Sequence, residues 1–504
     1  MRCRVVRGAA EVGGSCVELE QDGQRLVLDL GRPLTAAMDE DVPLPDISGL
    51  GTRDPSLLGI VVSHGHPDHY GLARGITAGV PIYLGKATQR LLREALFFSP
   101  AGADLRSAGH LQHQVPIELG PFTVTPLIAD HSAFDAYSLI VDAGGRRLLY
   151  SGDVRAHGRK RSFEELVKRP PANVDVLLLE GTRVGDDGTR SAVSEQELEQ
   201  RLVDLIGETP GLLLAAYSPQ NIDRLVTLYR AARRSSRLLV MDLYAATMAR
   251  ATMRDTIPQA DWDGIRVYVP QSQRVKVKQS GQFDRIAAVR ANRIYGEELA
   301  ASPDGFVLTF RGSMAAELER AGCLRDAAVA WSMWRGYLDR PSRARLRDWL
   351  ARHGLPLHHL HSSGHASVAD LKRLAEAVGG RVVPIHTTLP SASLTCSPAL
   401  SVTATESGGR CDAVSSTVAT GLSRWVAHVV CAKLGSVGHP HLQAVQHFAF
   451  VSQRPTNISH HAVRARHISQ RRLEHDHGHQ VKRARDRRSR RRESELATLL
   501  KHVL

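Results

Sequence analysis

The sequence contains no run of about 20 apolar residues, so no segment is long enough to cross a bilayer as a helix. Its opening, MRCRVVRGAAEVGG, lacks the apolar core of a secretory signal, and a cytoplasmic location is expected. Six cysteines are scattered without a Cys-x-x-Cys pair, which gives no basis for a disulfide framework. Aromatic residues are scarce, at 5%. The remaining composition, 42% hydrophobic and 23% charged, is that of a globular protein, and 504 residues exceed what one core usually supports. Two domains or more are expected.

A net charge of +13 suggests nucleic acid as a partner, but its location weakens that argument. Residues 391–504 hold 17 Lys+Arg against 7 Asp+Glu, so only +3 of the total belongs to residues 1–390. The body is nearly neutral.

The first half alternates short strand-like and helix-like runs. RLVLDLG (25–31), GIVVSH (59–64) and PIYLG (81–85) read as strands, and ATQRLLREALFF (87–98) has helical apolar spacing. YSLIVDA and RRLLYSGD flank Gly144-Gly145 as a hairpin, and VDVLLLEGT (174–182) reads as a buried strand. From about residue 195 helices and apolar strands alternate regularly, as in a parallel sheet. No internal repeat is present.

After His386 the pattern breaks. TTLPSASLTCSPALSVTATESGG has neither period, and the remainder carries 11 of the 24 histidines and ends in KRARDRRSRRRE before a short close. Two readings stay open: a disordered basic tail, or translation outside the natural frame. A one-nucleotide shift of the codons implied for TTLPSASLTCSP gives DAPERFADLFP, a Pro-capped string with an apolar stripe, which favours the second.

The chemistry is carried by VVSHGHPDHYGL (61–72), with His64, His66, Asp68 and His69 in His-x-His-x-Asp-His spacing after an apolar strand. Imidazole and carboxylate are the donors that zinc prefers. Alternate residues on extended chain put His64 and His66 on one side, while Asp68 and His69 follow as the chain turns. A lone histidine would more simply be a core or surface imidazole; this spacing argues for metal.

The stretch resembles the metallo-β-lactamase superfamily, and further matches follow in chain order. Asp29 in VLDLG looks like an acid that orients the metal loop, His131 in ADHS like a ligand, and Asp153 in YSGD like a carboxylate bridging two metals. Three elements resemble the β-CASP branch, which includes ribonuclease J and the nuclease of eukaryotic mRNA 3′-end processing. These are Glu180 in LLLEGT, His365 in HSSGHAS and His386 in PIHT, with 184 residues between Glu180 and His365.

The fold implied is α/β, a metallo-β-lactamase αββα sandwich with an inserted β-CASP-like α/β domain. Its parts would be residues 1–190, an insertion over 191–350, a return segment over 351–388 carrying the last two motifs, and a tail over 389–504. Ribonuclease J's C-terminal dimerisation domain is not recognisable, which leaves self-association open.

The resemblance implies a hydrolase with two Zn2+ per chain, Mn2+ being an alternative, that cuts RNA by a metal-bridging hydroxide, internally or from the 5′ end. One metal would take His64, His66, His131 and Asp153, and the other Asp68, His69, Asp153 and His386. Asp68, Glu180 and His365 are the catalytic candidates, with Asp29 and Glu180 holding ligands from behind and His365 acting on the phosphate or leaving oxygen. Ser363, Gly364 and Ser367 are candidates for phosphate binding, against a plain helix cap by Ser367. A histidine at 386 is the form found in RNA-processing members. Two other readings are a hydrolase of a small phosphodiester or ester with the inserted block as a lid, and a metal-free RNA-binding scaffold. The full ligand set argues against the scaffold.

Overall fold

A computed structural model of the chain describes residues 1–37, 40–76, 78–184 and 192–388, together with the backbone of 402–404. The first sheet begins with β1 (Arg2–Arg7), β2 (Cys16–Gln21) and β3 (Gln24–Leu28), an antiparallel set in which a two-residue turn joins β2 to β3. It continues in parallel through β4 (Leu57–Val61), β5 (Ile82–Gly85) and β6 (Ser107–Leu111). The second sheet holds β7 (Ile117–Leu119), β8 (Phe122–Ala129), β9 (Ala136–Ala143), β10 (Arg146–Tyr150) and β11 (Val176–Glu180). In β8 burial alternates along FTVTP, as expected of a strand with one face in the core. β11 is buried at all five positions because it lies between parallel neighbours.

The inner faces of these sheets meet in one core, where Val5, Leu28 and Val61 pack with Leu139, Tyr150 and Leu178. Helix 86–96 lies in part on the outer side of the first sheet through Leu92. Helices 162–168 and 368–378 cover the second through Phe163, Leu371 and Leu374. The result is an αββα sandwich.

A third, wholly parallel sheet intervenes in the chain: β12 (Leu213–Ala216), β13 (Leu238–Asp242), β14 (Ile265–Tyr268), β15 (Arg293–Ile294), β16 (Phe306–Phe310), β17 (Ala328–Trp331) and β18 (Leu357–His359). Its order is β15-β14-β13-β16-β12-β17-β18, and helices cover both faces, so its central strands are apolar except for Asp242 and Thr309. The expected return at residue 351 falls inside helix 344–352, and β18 still pairs with β17. The chain therefore leaves this sheet only after His359: the strand-like run that opens at 355 pairs within the third sheet and is not part of the returning segment.

The chain then returns to the sandwich as β19 (Arg381–Ile385), which pairs in parallel with β11. A tail wholly without order is not what is found: β20 (Val402–Ala404) pairs in parallel with β1, Cys3 opposite Val402. An otherwise open edge strand presents unpaired N–H and C=O groups, which this segment satisfies. The rest of the expected tail, including its histidines, lies outside the described residues.

Candidate metal centre

The site forms where strand ends of both sandwich sheets converge. β4 delivers Ser63 and His64; Pro67 then opens a single helical turn over 67–70 that carries Asp68 and His69. β8 ends just before His131, β10 before Asp153, β11 at Glu180 and β19 before His386. His64, His66, His131 and Asp153 offer ligand atoms within 4.8 Å of one another, as do Asp68, His69 and His386. A third such group joins Asp153, His365 and His386. All of the candidate ligands except His66 and His365 are buried.

Four imidazoles of the centre, those of His64, His69, His131 and His386, are held from behind. His69 Nδ1 donates to Asp29 Oδ2 at 2.7 Å, and His131 Nδ1 donates to the Gly364 carbonyl at 2.5 Å. Ser63 Oγ donates to Asp29 Oδ2 at 2.7 Å, so its 3.0 Å contact with His64 Nδ1 is one it accepts. His386 Nδ1 is hydrogen-bonded with Ser15 Oγ at 2.8 Å. In every case the opposite nitrogen is left for the centre: His64, His69 and His131 Nε2 lie 3.6, 3.3 and 3.6 Å from Asp153 Oδ2. His386 Nε2 lies 3.6 Å from Asp68 Oδ2. Fixing one ring nitrogen by an outer partner is how proteins select the metal-binding tautomer.

Asp29 does not face the ligand cluster. Besides His69 and Ser63 it accepts from Tyr150 Oη at 2.6 Å and from the Ser63 amide at 2.6 Å, which fixes the start of the histidine loop. Its φ of +57° and that of His386, +50°, lie in the left-handed region that non-glycine residues avoid. His386 is kept there by its amide bond to the Gly8 carbonyl at 2.6 Å. Two glycines are required by close approach. A Cβ on Gly31 would sit 1.7 Å from the Asp68 carbonyl oxygen, and one on Gly364 would press on His131 and Ser132.

The donor chemistry fits divalent cations. Among the described residues both oxygens of Asp153, and Nε2 of His69 and His386, are buried without a hydrogen-bond partner. Buried polar atoms are rarely left unpaired, and four on one spot point to a ligand. Burial first, then neighbouring charge at His69, moves the His64 pKa well below its usual value, and burial does the same for His131. Both rings are neutral, the ligating form. Burial would raise the Asp153 carboxyl, but His69, His386 and His365 outweigh it and hold the group well below its usual range. Burial would lower His69, yet Asp153 and Asp29 raise it well above.

Glu180 was expected to brace a ligand histidine; it braces His365 instead, accepting from Nδ1 at 3.0 Å, while its other oxygen accepts from the Val154 amide at 3.0 Å. The reason is position: Glu180 ends β11 facing the loop that follows β18, where His365 also stands 3.7 Å from Asp153. Burial lowers His365, but Glu180 and Asp153 raise its pKa to about 9. The expected phosphate donors are turned inward. Ser367 caps helix 368–378, accepting from the Asp370 amide at 3.1 Å and donating to Asp370 Oδ2 at 2.7 Å, so the plain cap describes it. Ser363 Oγ accepts from the His365 amide at 3.1 Å, and the Gly364 carbonyl is the anchor of His131.

Sequence reasoning missed a second buried cluster beneath this loop. Arg155 donates to Asp130 at 3.0 Å, Glu195 at 3.4 Å, the Ser363 carbonyl at 3.2 Å, and Asp223. Arg224 donates to Glu195 at 3.1 Å and to the carbonyls of Ser332 and Ser362 at 2.8 and 3.3 Å. His157 Nε2 adds a 2.9 Å bond to the Ser363 carbonyl. The available signal was a charge beside each motif, Asp130 before His131 and Arg155 after Asp153, at the ends of apolar strands.

Residues 44–208 match the family model described as a β-lactamase superfamily domain. Ribonuclease J of Mycobacterium tuberculosis is 26% identical over 246 residues, 46% of this chain and 42% of that protein. Ribonuclease J of Helicobacter pylori is 23% identical over 232 residues, 43% of this chain and 32% of that one. The matched stretch thus spans less than half of these relatives. A crystal structure of a protein of unknown function from Enterococcus faecalis V583 has a TM-score of 0.61 at 20% identity, covering 77% of this chain and 94% of that chain, a likeness of fold alone. No helix among the described residues is long and apolar enough to cross a membrane. The histidine motif, the αββα sandwich and these matches agree: the chain carries a β-lactamase superfamily domain, matched over residues 44–208.

Proposed function

We propose that this chain is a two-zinc phosphodiester hydrolase acting on RNA, with the third sheet as a β-CASP-type insertion. The observation that carries the metal reading is the Asp153 carboxylate, buried, without a hydrogen-bond partner on either oxygen, and ringed by imidazoles. His64, His66, His131 and Asp153 would hold one ion; Asp68, His69 and His386, sharing Asp153, would hold the other. When bound, such ions supply Lewis acidity and make water a nucleophile near neutral pH.

The remaining roles fall to the chain's own groups. Asp29 and Ser63 orient His69 and His64, and Ser15 orients His386. His365 is fixed through Nδ1 on Glu180 while 22% of its side chain stays open to solvent, so its other nitrogen can hand a proton to the oxygen that leaves phosphorus. Similarity to proteins named ribonuclease J and the histidine at 386 favour RNA over DNA.

The test is incubation of the chain with 5′-labelled RNA and matched single-stranded DNA, with and without a chelator. The reading expects cleavage of RNA, its loss with chelator, and its return with Zn2+ or Mn2+. Intact RNA alongside turnover of a small phosphodiester would replace the reading with the small-substrate alternative.

A further inference from the structure

The chain that leaves β17 places the sequence SMWRGYLDRPSRARLR over residues 332–347. Between Trp334 and Arg347 it holds five arginines and one acid, a local excess in a body that is otherwise almost neutral. Trp334 and Tyr337 are 58% and 36% exposed, and their rings meet edge to face with centroids 5.4 Å apart. The Arg340 guanidinium lies 4.8 Å from the Tyr337 ring centre. Arg335, Arg340, Arg343 and Arg345 are exposed, and none forms an ion pair among the described residues. Large aromatics are normally buried, so two partly exposed rings among arginines without ion pairs call for a partner.

This surface is built rather than accidental. The Trp334 indole folds over Gly336 so closely that a Cβ there would come within 2.2 Å of the ring. The Trp334 carbonyl accepts from Trp331 Nε1 at 3.4 Å, and the Met333 carbonyl from His359 Nε2 at 3.0 Å. Leu338 is buried in the core of the third sheet. At its base, Ser332 Oγ donates to the Leu360 carbonyl at 2.5 Å, on the strand-end loop that continues to His365.

We infer that Trp334 and Tyr337 form a stacking platform for the bases of single-stranded RNA, anchored on the loop that leads to His365, with Arg335, Arg340, Arg343 and Arg345 contacting its phosphates. The inference rests on RNA being the substrate, and it names where the strand is gripped. Aromatic faces accept any base, and free guanidinium groups neutralise the backbone, a pairing that suits unpaired strands and not duplexes, whose bases are already stacked.

The test measures binding of a short phosphorothioate-linked single-stranded RNA by wild type, W334A, W334F, G336A and R340A/R343A. Cleavage of ordinary RNA is followed in the same wild-type preparation. W334A should raise Kd by about tenfold, W334F by far less, and G336A should weaken binding by displacing the indole. R340A/R343A should reduce the slope of log Kd against log salt by about 0.7 for each lost phosphate contact. Thermal midpoint and metal content establish that each variant is folded. Wild type that cleaves RNA while W334A and R340A/R343A bind it as tightly as wild type would overturn the platform and leave the proposed function standing. Wild type that does not cleave RNA would overturn the proposed function, and the platform with it.

Discussion

Two buried polar clusters lie a few residues apart along the same chain segments, and they are built on opposite principles. Around Arg155, Asp130, Glu195 and Arg224 charge meets charge, and among the described residues none of these four side chains has an atom buried without a hydrogen-bond partner. Around Asp153 the chain gathers imidazoles and carboxylates and leaves four buried atoms without a partner. A satisfied ionic cluster fixes geometry; an unsatisfied one has donors to offer. The two are joined through short links, Asp130 to His131, Asp153 to Arg155, and Ser363 to His365. The ionic cluster is thus the mount on which the reactive one is set.

The sharpest way to break this comparison is to alter one residue in each. Asp153→Ala removes the one carboxylate facing both ligand sets, and RNA turnover should fall by about 10³-fold or more with little loss of fold. Near-normal turnover would mean that Asp153 is not the shared ligand. Arg155→Met leaves Asp130 and Glu195 buried and undercompensated, and should lower stability by about 3–5 kcal/mol in denaturant titration. An unchanged midpoint would show that the ionic cluster is not structural.

His365→Ala tests the boundary between the clusters. It should lower turnover by about 10²-fold while leaving metal content intact, because its Nδ1 is engaged by Glu180. Loss of bound metal would make His365 a ligand, as its 3.7 Å approach to Asp153 allows.

The smallest expected effect is in acid. Burial, then Arg155, lowers the His157 pKa from 6.5 to about 4, and burial, then Arg224, lowers His361 from 6.5 to about 3. Burial opposes Arg224 and Arg155 at Glu195, but the arginines prevail and bring it from 4.5 to about 2. All three folded values lie below the unfolded ones, so each contribution is complete above the unfolded value and is lost as pH falls toward the folded one. Stability should therefore decline first below 6.5 through the two histidines and again below 4.5 through Glu195. Thermal midpoints in His157→Gln should show a shallower decline than wild type over the first range; an equal slope would contradict the assignment.

What could be read from the sequence divides along the same line. His64, His66, Asp68 and His69 are close in sequence because they share one strand-to-helix turn, so spacing alone exposed them. His131, Asp153, Glu180 and His386 each stand at the end of an apolar strand, which made them visible once strands were marked. The ionic cluster was not visible, because Arg155, Glu195 and Arg224 come from separate segments and an arginine in a string carries no sign that it will be buried. The limits of the third sheet were blurred because a strand-like run does not say which sheet it joins, and β18 pairs with β17. Nothing in the string marks Trp334 and Tyr337 as exposed. β20 could not be foreseen, since its pairing with β1 depends on an edge that only the folded sheet defines.

The central claim is that the unpartnered atoms around Asp153 are metal ligands. Metal analysis of the chain purified without chelators tests it most directly. Wild type should carry about two zinc ions per chain, and Asp153→Ala should lose both. A wild-type protein that carries no transition metal and takes up none on titration would contradict it.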